Sequence, residues 1–148
     1  MSTDKEELND NTDEIKLPVA QNCAGKIVYE VTVEKGDTYW RLDGKLHRLD
    51  GPAVEYAEGT KDWYVNGKRH REDGPAYEDA DGSKDWYVNG KRHREDGPAV
   101  EYADGDKEWW INGVWYTEED WQIEVWDNLS ETEQERLIFS GFINKEIL

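Results

Sequence analysis

Through the middle of the chain, apolar and polar residues alternate in short runs of strand length, and each run is closed by a turn dipeptide. In the stretch WYVNGKRH (63–70) and its copy at 86–93, Asn-Gly separates an aromatic-rich run from a basic one. That dipeptide suits a two-residue type I′ turn, which needs positive φ at both positions. A two-residue turn fixes the register: Trp63 faces His70, Tyr64 faces Arg69 and Val65 faces Lys68. The second copy pairs Trp86 with His93 and Tyr87 with Arg92 by the same arithmetic. One face of each hairpin therefore carries Trp over His, and the other Tyr over Arg, a cation–π arrangement worth about 0.5–1 kcal/mol when exposed.

The same unit recurs every 23 residues, so that Trp40, Trp63, Trp86 and Trp109 occupy one position of the period. Asp43-Gly44 and Asn112-Gly113 take the place of the Asn-Gly turns, which makes four hairpins. A second turn recurs as Ala57-Glu58-Gly59, Ala80-Asp81-Gly82 and Ala103-Asp104-Gly105, with Gly suited to the left-handed position of a three-residue loop. This loop pairs Glu55 with Lys61, Glu78 with Lys84 and Glu101 with Lys107, as pins of the register. Gly36 falls in the same register, so Lys26 to Val33 reads as a partial repeat opening the sheet. Pro52, Pro75 and Pro98 mark where one unit hands over to the next. The expected fold is mainly β, a single-layer antiparallel β-meander of tandem hairpins whose copies lean on one another. Its organisation is a tail over 1–18, a repeat sheet over 19–116 (partial repeat 26–39, copies starting at 40, 63, 86 and 109), and a helical cap over 117–148.

Composition adds a constraint and a charge. The chain has 148 residues, 36% of them charged, with Phe only at Phe139 and Phe142 but eight Trp and eight Tyr. The core must therefore be aromatic, which repeat stacking makes feasible. The formal charge of −17 divides into −4 over residues 1–16, −6 over 17–116 and −7 over 117–148. Such a field repels nucleic acid and anionic membranes and attracts basic surfaces, although solubility is an equally good reason for it. Cys23 is the single cysteine, which fits a reducing compartment. No apolar run resembles a signal peptide or a membrane span, so the expected location is the cytoplasm, that of the host if the chain is viral. The acidic start is expected to be disordered.

The NGKRH segment, followed at a 23-residue period by A-[DE]-G, resembles the MORN repeat, over roughly residues 26–116. Arg71-Glu72-Asp73-Gly74 stands where that family has a glycine pair, and the opening YxG is missing. The chain is most similar to a variant form found in uncharacterised proteins of phages, large viruses and bacteria. The resemblance implies an elongated, twisted sheet that serves as a scaffold for protein contacts. A lipid-headgroup role, known in some members, conflicts with the negative charge.

His47, His70 and His93, with Asp50, Asp73 and Asp96 nearby, invite a metal or acid–base reading. Equivalent positions in successive copies lie about 9–10 Å apart at ~4.8 Å per strand, too far to share one zinc. Structural histidines stacked on Trp are expected, with no catalytic residue, metal or cofactor. Lys68, Arg69, Arg71 and Lys91, Arg92, Arg94 interleave with Tyr64 and Tyr87 as a nucleic-acid ladder would. Glu72, Asp73, Glu95 and Asp96 dilute them, and salt pairing between loops of adjacent copies is the simpler expectation. Copy two departs from its neighbours at Tyr77 and Asp79.

The last hairpin, WWINGVWY, sets Trp110 opposite Trp115 and Trp109 opposite Tyr116, aromatic on both faces. Thr117-Glu118-Glu119-Asp120 and Ser130-Glu131-Thr132-Glu133 have the form of capped helix starts, predicting helices at about 117–127 and 131–140. Trp121, Val125 and Trp126, with Leu137, Ile138 and Phe142, are expected to cover the open edge. Because Trp recurs in every copy, the Trp face is expected to be the inner one.

These readings converge on a non-catalytic protein-interaction module. Its more specific form is a phage- or mobile-element-encoded inhibitor that occludes a host nucleic-acid enzyme or defence system by acidic, DNA-like mimicry. A structural scaffold or homo-oligomer is one alternative, and a nucleotide- or nucleic-acid-binding protein using the Lys/Arg/Tyr ladder is another, with direct nucleic-acid binding disfavoured. The expected partner is a protein with a basic surface. Candidate contact residues are Tyr64, Arg69, Tyr77, Asp79, Tyr87, Arg92, Trp110 and Trp115, with Glu118, Glu119, Asp120, Glu124 and Asp127 on the first helix.

Overall fold

The computed structural model describes residues 15–17 and 27–139. It is mainly β, an open antiparallel sheet with two short helices at its C-terminal end. The strands are β1 (Ile15–Leu17), β2 (Glu30–Glu34), β3 (Asp37–Leu42), β4 (Lys45–Leu46), β5 (Val54–Glu55), β6 (Lys61–Asp62), β7 (Tyr64–Val65) and β8 (Lys68–Arg69). They continue as β9 (Tyr77–Glu78), β10 (Lys84–Asp85), β11 (Tyr87–Val88), β12 (Lys91–Arg92), β13 (Val100–Glu101), β14 (Lys107–Ile111) and β15 (Val114–Tyr116). Helices α1 (Glu118–Asn128) and α2 (Glu131–Phe139) follow. Among the described residues the main sheet has 11 strands, ordered β1-β2-β3-β5-β6-β9-β10-β13-β14-β15 with β4 on β3, while β7–β8 and β11–β12 form ladders of their own.

Both predicted turns form. Asn66 and Gly67 have φ of 52° and 78°, as a type I′ turn demands, and Gly59 takes 106° at the end of the three-residue loop. Tyr64 pairs with Arg69 and Glu55 with Lys61, as the turn lengths dictate. The opening unit differs. Lys35 and Gly36 both have positive φ, so β2 and β3 meet across a two-residue turn. β2 begins at Glu30, later than the expected Lys26, and Ile15–Leu17, assigned to the acidic tail, pairs with Val31–Val33. The remainder of that tail, Cys23 and Phe142 lie outside the described residues, as do the side chains of Leu137 and Ile138.

Three threads of bonds join each copy to the next. Arg48, Arg71 and Arg94 donate their backbone N–H to Tyr64, Tyr87 and Trp110 at 3.0–3.1 Å. Gly67, Gly90 and Gly113 donate theirs to Leu46, Arg69 and Arg92 at 2.8–2.9 Å, so the Asn-Gly hairpins also lean on one another. The residue after each loop glycine accepts from the next copy: Asp37 from Ala57, Thr60 from Ala80 and Ser83 from Ala103. Contacts of this kind recur at every junction, which is how a two-residue strand with little apolar surface persists.

The core is narrow and belongs to neither face alone. Ala53, Ala76 and Ala99 are buried in the tryptophan row, while Val54, Asp62 and Val100 are equally buried on the opposite face. The tryptophans are only half-buried, as are Tyr64, Tyr77 and Tyr87 on the opposite face, so the Trp face is no more the inner one than the Tyr face. The reason is a repeated arginine clamp. The Arg71 guanidinium lies 4.2 Å from the Trp63 ring, bonds Asp73 at 2.8 Å, the Pro75 carbonyl at 3.2 Å and Glu78 at 3.1 Å. A Cβ on Gly74 would sit 3.0 Å from its Cζ, which explains the glycine of the DGPA motif. Arg48 and Arg94 do the same on Trp40 and Trp86. Arginine thus takes the place expected of histidine, and Glu55, Glu78 and Glu101, which stand opposite Lys61, Lys84 and Lys107 in register, direct ion pairs to these arginines.

Candidate functional site

On the face opposite the clamps, the alternation sets the chemistry. Asp62 sits one residue before Trp63, diagonal to Arg69 across the hairpin, so both point to the Tyr side. Asp62 is 1% exposed and takes Arg69 bidentately, Nε at 2.9 Å and Nη2 at 2.8 Å. Three rings surround that guanidinium: Tyr77 at 4.8 Å, Tyr87 at 5.4 Å and Tyr64 at 6.0 Å. Burial pushes the Asp62 carboxyl up, against the bonds from Arg69, while the same bonds hold the Arg69 proton in spite of burial. Arg92 repeats the pattern with Asp85 at 2.9 Å and adds Glu108 at 3.3 Å and the Trp110 ring at 5.4 Å.

The structure therefore gathers Tyr64, Arg69, Tyr77, Tyr87, Arg92 and Trp110 into one ladder, with charges already neutralised from within. Sequence reading passed over Asp62, Asp85 and Glu108, although the diagonal position was available from the register. It also placed the ion pairs between loops of adjacent copies. Arg71 and Arg94 instead pair within their own loops, and Arg69 and Arg92 with buried carboxylates of the sheet.

Tyr77 completes the cage around Arg69 and donates its hydroxyl to Asp79, which accounts for the irregularity of copy two. The Tyr77 bond, followed by the Asp81 N–H, holds the Asp79 carboxyl below the usual range. A depressed folded pKa means a contribution present above the unfolded value and lost as pH falls through the folded one. Tyr77→Phe is expected to move the Asp79 midpoint back up toward the ordinary value, read by carboxyl-carbon NMR titration. An unmoved midpoint would refute the assignment.

The histidines serve the junctions. His47, His70 and His93 accept, at Nδ1, the backbone N–H of Asn66, Asn89 and Asn112 in the next copy at 3.1–3.2 Å. Through Nδ1 each histidine thus ties its own hairpin to the turn of the next copy.

The C-terminal end carries the other candidates. Thr117 caps α1, its Oγ1 accepting the Asp120 N–H at 3.2 Å and donating to the Asp120 carboxylate at 2.8 Å. At the start of α2 Ser130 donates both its backbone N–H and its hydroxyl to the Glu133 carboxylate, at 3.1 and 2.6 Å. Trp121 and Val125 are buried and Trp126 half-buried, and the Trp121 Nε1 donates to the Arg94 carbonyl at 3.1 Å. α1 thus covers one face of the last hairpin. Trp115 remains 56% exposed on the other, and Glu118, Glu119, Asp120 and Asp127 point to solvent with Glu124 half-buried beside them. No described helix is long and apolar enough to cross a membrane. Comparison with protein-family models, curated proteins and solved structures finds no match for this chain.

Proposed function

We propose that this chain is a non-catalytic interaction protein that binds a basic surface on another protein through its acidic C-terminal end. The observation that carries the reading is the partition of charge. Arg48, Arg69, Arg71, Arg92 and Arg94 each lie on carboxylates of the same chain. Residues 117–139 hold eight carboxylates against Arg136, and seven of those eight residues are exposed. A ladder of arginines spent internally favours neither phosphate nor nucleotide, whereas an acidic surface beside an exposed tryptophan suits a basic protein cleft. Occlusion of the nucleic-acid site of an enzyme is the form of this function that the charge supports best.

The test is retention of lysate proteins on the immobilised chain at about 50 and 200 mM salt, with mass spectrometry of what is held. The comparison is a variant carrying E118Q, E119Q, E124Q and D127N, which spares the capping pair Thr117 and Asp120. Partners with basic clefts, released by salt and retained several-fold less by the variant, are expected. Retention indifferent to both salt and the substitutions would overturn the reading and favour a scaffold working through its aromatic surfaces.

A further inference from the structure

The internal junctions of this repeat show what its last edge is built to receive. In each junction the second strand of one hairpin offers a carbonyl and an amide to the first strand of the next. Leu46 accepts from Gly67 and Arg48 donates to Tyr64; Arg69 accepts from Gly90 and Arg71 donates to Tyr87; Arg92 accepts from Gly113 and Arg94 donates to Trp110. One period further on, the equivalent groups are the Trp115 carbonyl and the Thr117 amide. Ile111 and Val114 close the two-residue turn, so Trp115 is the non-hydrogen-bonded partner of Trp110 and its N–H and C=O point away from β14. Among the described residues neither group has a backbone partner across that edge.

The edge is also apolar and grooved. Val114, Trp115 and Ile123 are 54%, 56% and 43% exposed, and a groove of ≈ 390 Å³ runs between Trp115, Ile123 and the carboxylates of Asp120 and Glu124. Proline, lysine and bulges, which blunt sheet edges elsewhere, are absent from Val114–Tyr116. The histidine of the internal junctions is replaced by Tyr116, so an added strand depends on the two backbone bonds and on Trp115.

We propose that β15 is a strand-addition site that takes a basic β-hairpin or extended strand from a partner protein, with its cationic side chains set against Asp120 and Glu124. Charge selects this occupant over a second copy, because pairing two β15 edges would juxtapose two C-terminal ends of charge −7 each. The proposal rests on the basic-partner reading above and gives it a place and a backbone geometry. The chain itself supplies the probe: the cyclised peptide Tyr-Val-Asn-Gly-Lys-Arg-His-Arg, the sequence of residues 64–71, which docks in this way on Leu46 and Arg48 and carries three cationic side chains besides its histidine.

The experiment is titration of the ¹⁵N-labelled full chain with this peptide up to about 2 mM, alongside the same peptide N-methylated at its glycine. Saturable shifts centred on Val114–Thr117, slowed exchange of the Thr117 amide, and about tenfold weaker binding of the methylated peptide are expected for one lost hydrogen bond. Equal binding of both peptides with shifts confined to Glu118–Asp127 would overturn strand addition while leaving the acidic-surface reading intact. Absence of any shift would overturn both the edge and the affinity of this end for basic ligands. Trp115 and Thr117 amides already protected in the free chain, or shifts that depend on protein concentration alone, would overturn it in favour of an edge filled by the chain itself or by a second copy.

Discussion

Asp62→Ala is expected to cost about 3 kcal/mol of folding stability, the lower end of the range for stripping one partner from a buried ion pair. Arg69 would be left among Tyr64, Tyr77 and Tyr87 with its charge uncompensated, and its one-third exposure allows some rescue by water. The equivalent change one copy later provides the internal control. Arg92 also reaches Glu108 at 3.3 Å, so Asp85→Ala leaves a fallback partner and should cost only about 1–2 kcal/mol. Removing both charges at the first site, as Asp62→Leu with Arg69→Met, should bring stability back to within about 1 kcal/mol of the parent, since apolar replacement of a buried pair is often neutral. Urea denaturation with comparison of midpoints at constant m-value measures all three. Equal losses at Asp62 and Asp85 would show that the carboxylate acts locally and that Glu108 provides no reserve.

The asymmetry between these two sites also marks how far the sequence could be read. Period, turn types, register and helix starts were legible because each depends on local chemistry: positive φ at Asn-Gly, an open left-handed position at Gly59, a hydroxyl three residues before a carboxylate at Thr117 and Ser130. What faces what across a hairpin follows from turn length alone, so Tyr64 opposite Arg69 and Trp110 opposite Trp115 were fixed in advance.

Long side chains were less legible. Arg71 reaches past its nearest neighbours to stack on Trp63 eight residues back and to bond Glu78 seven residues on, contacts that pairing by backbone position, correct for Glu78 opposite Lys84, could not show. Gly74 held the missing signal. A glycine in a motif that needs no positive φ implies a close approach, and here the guanidinium makes it. The residues of the ladder were likewise named, but as separate features and without Asp62 and Asp85 beneath them. Their balance was therefore sought in Glu72, Asp73, Glu95 and Asp96 of the loops, when Arg69 and Arg92 are balanced from inside the sheet.

Trp121→Ala carries the second large effect, and the repeat architecture decides where it appears. Truncating a fully buried tryptophan removes about 3–5 kcal/mol of packing. Trp121 is 1% exposed and also ties α1 to the Arg94 carbonyl. In a sheet whose copies contact only their neighbours, that loss falls on the unit concerned and is not shared by the whole chain. The expected result is undocking of α1: helical signal decreases, amides of Glu118–Asn128 and Trp109–Tyr116 lose exchange protection, and the Trp63 and Ala76 amides, bonded to Ala76 and Asp85, keep theirs. Trp121→Phe retains most of the apolar contact and forfeits the hydrogen bond, for a loss of about 1 kcal/mol with α1 still docked. Cooperative unfolding of the entire sheet in Trp121→Ala would mean that the helical cap holds the stack together and does not merely close its end. The acidic surface would then be inseparable from the scaffold's stability, because α1 carries both Trp121 on its buried side and Glu118, Glu119 and Asp127 on its exposed one.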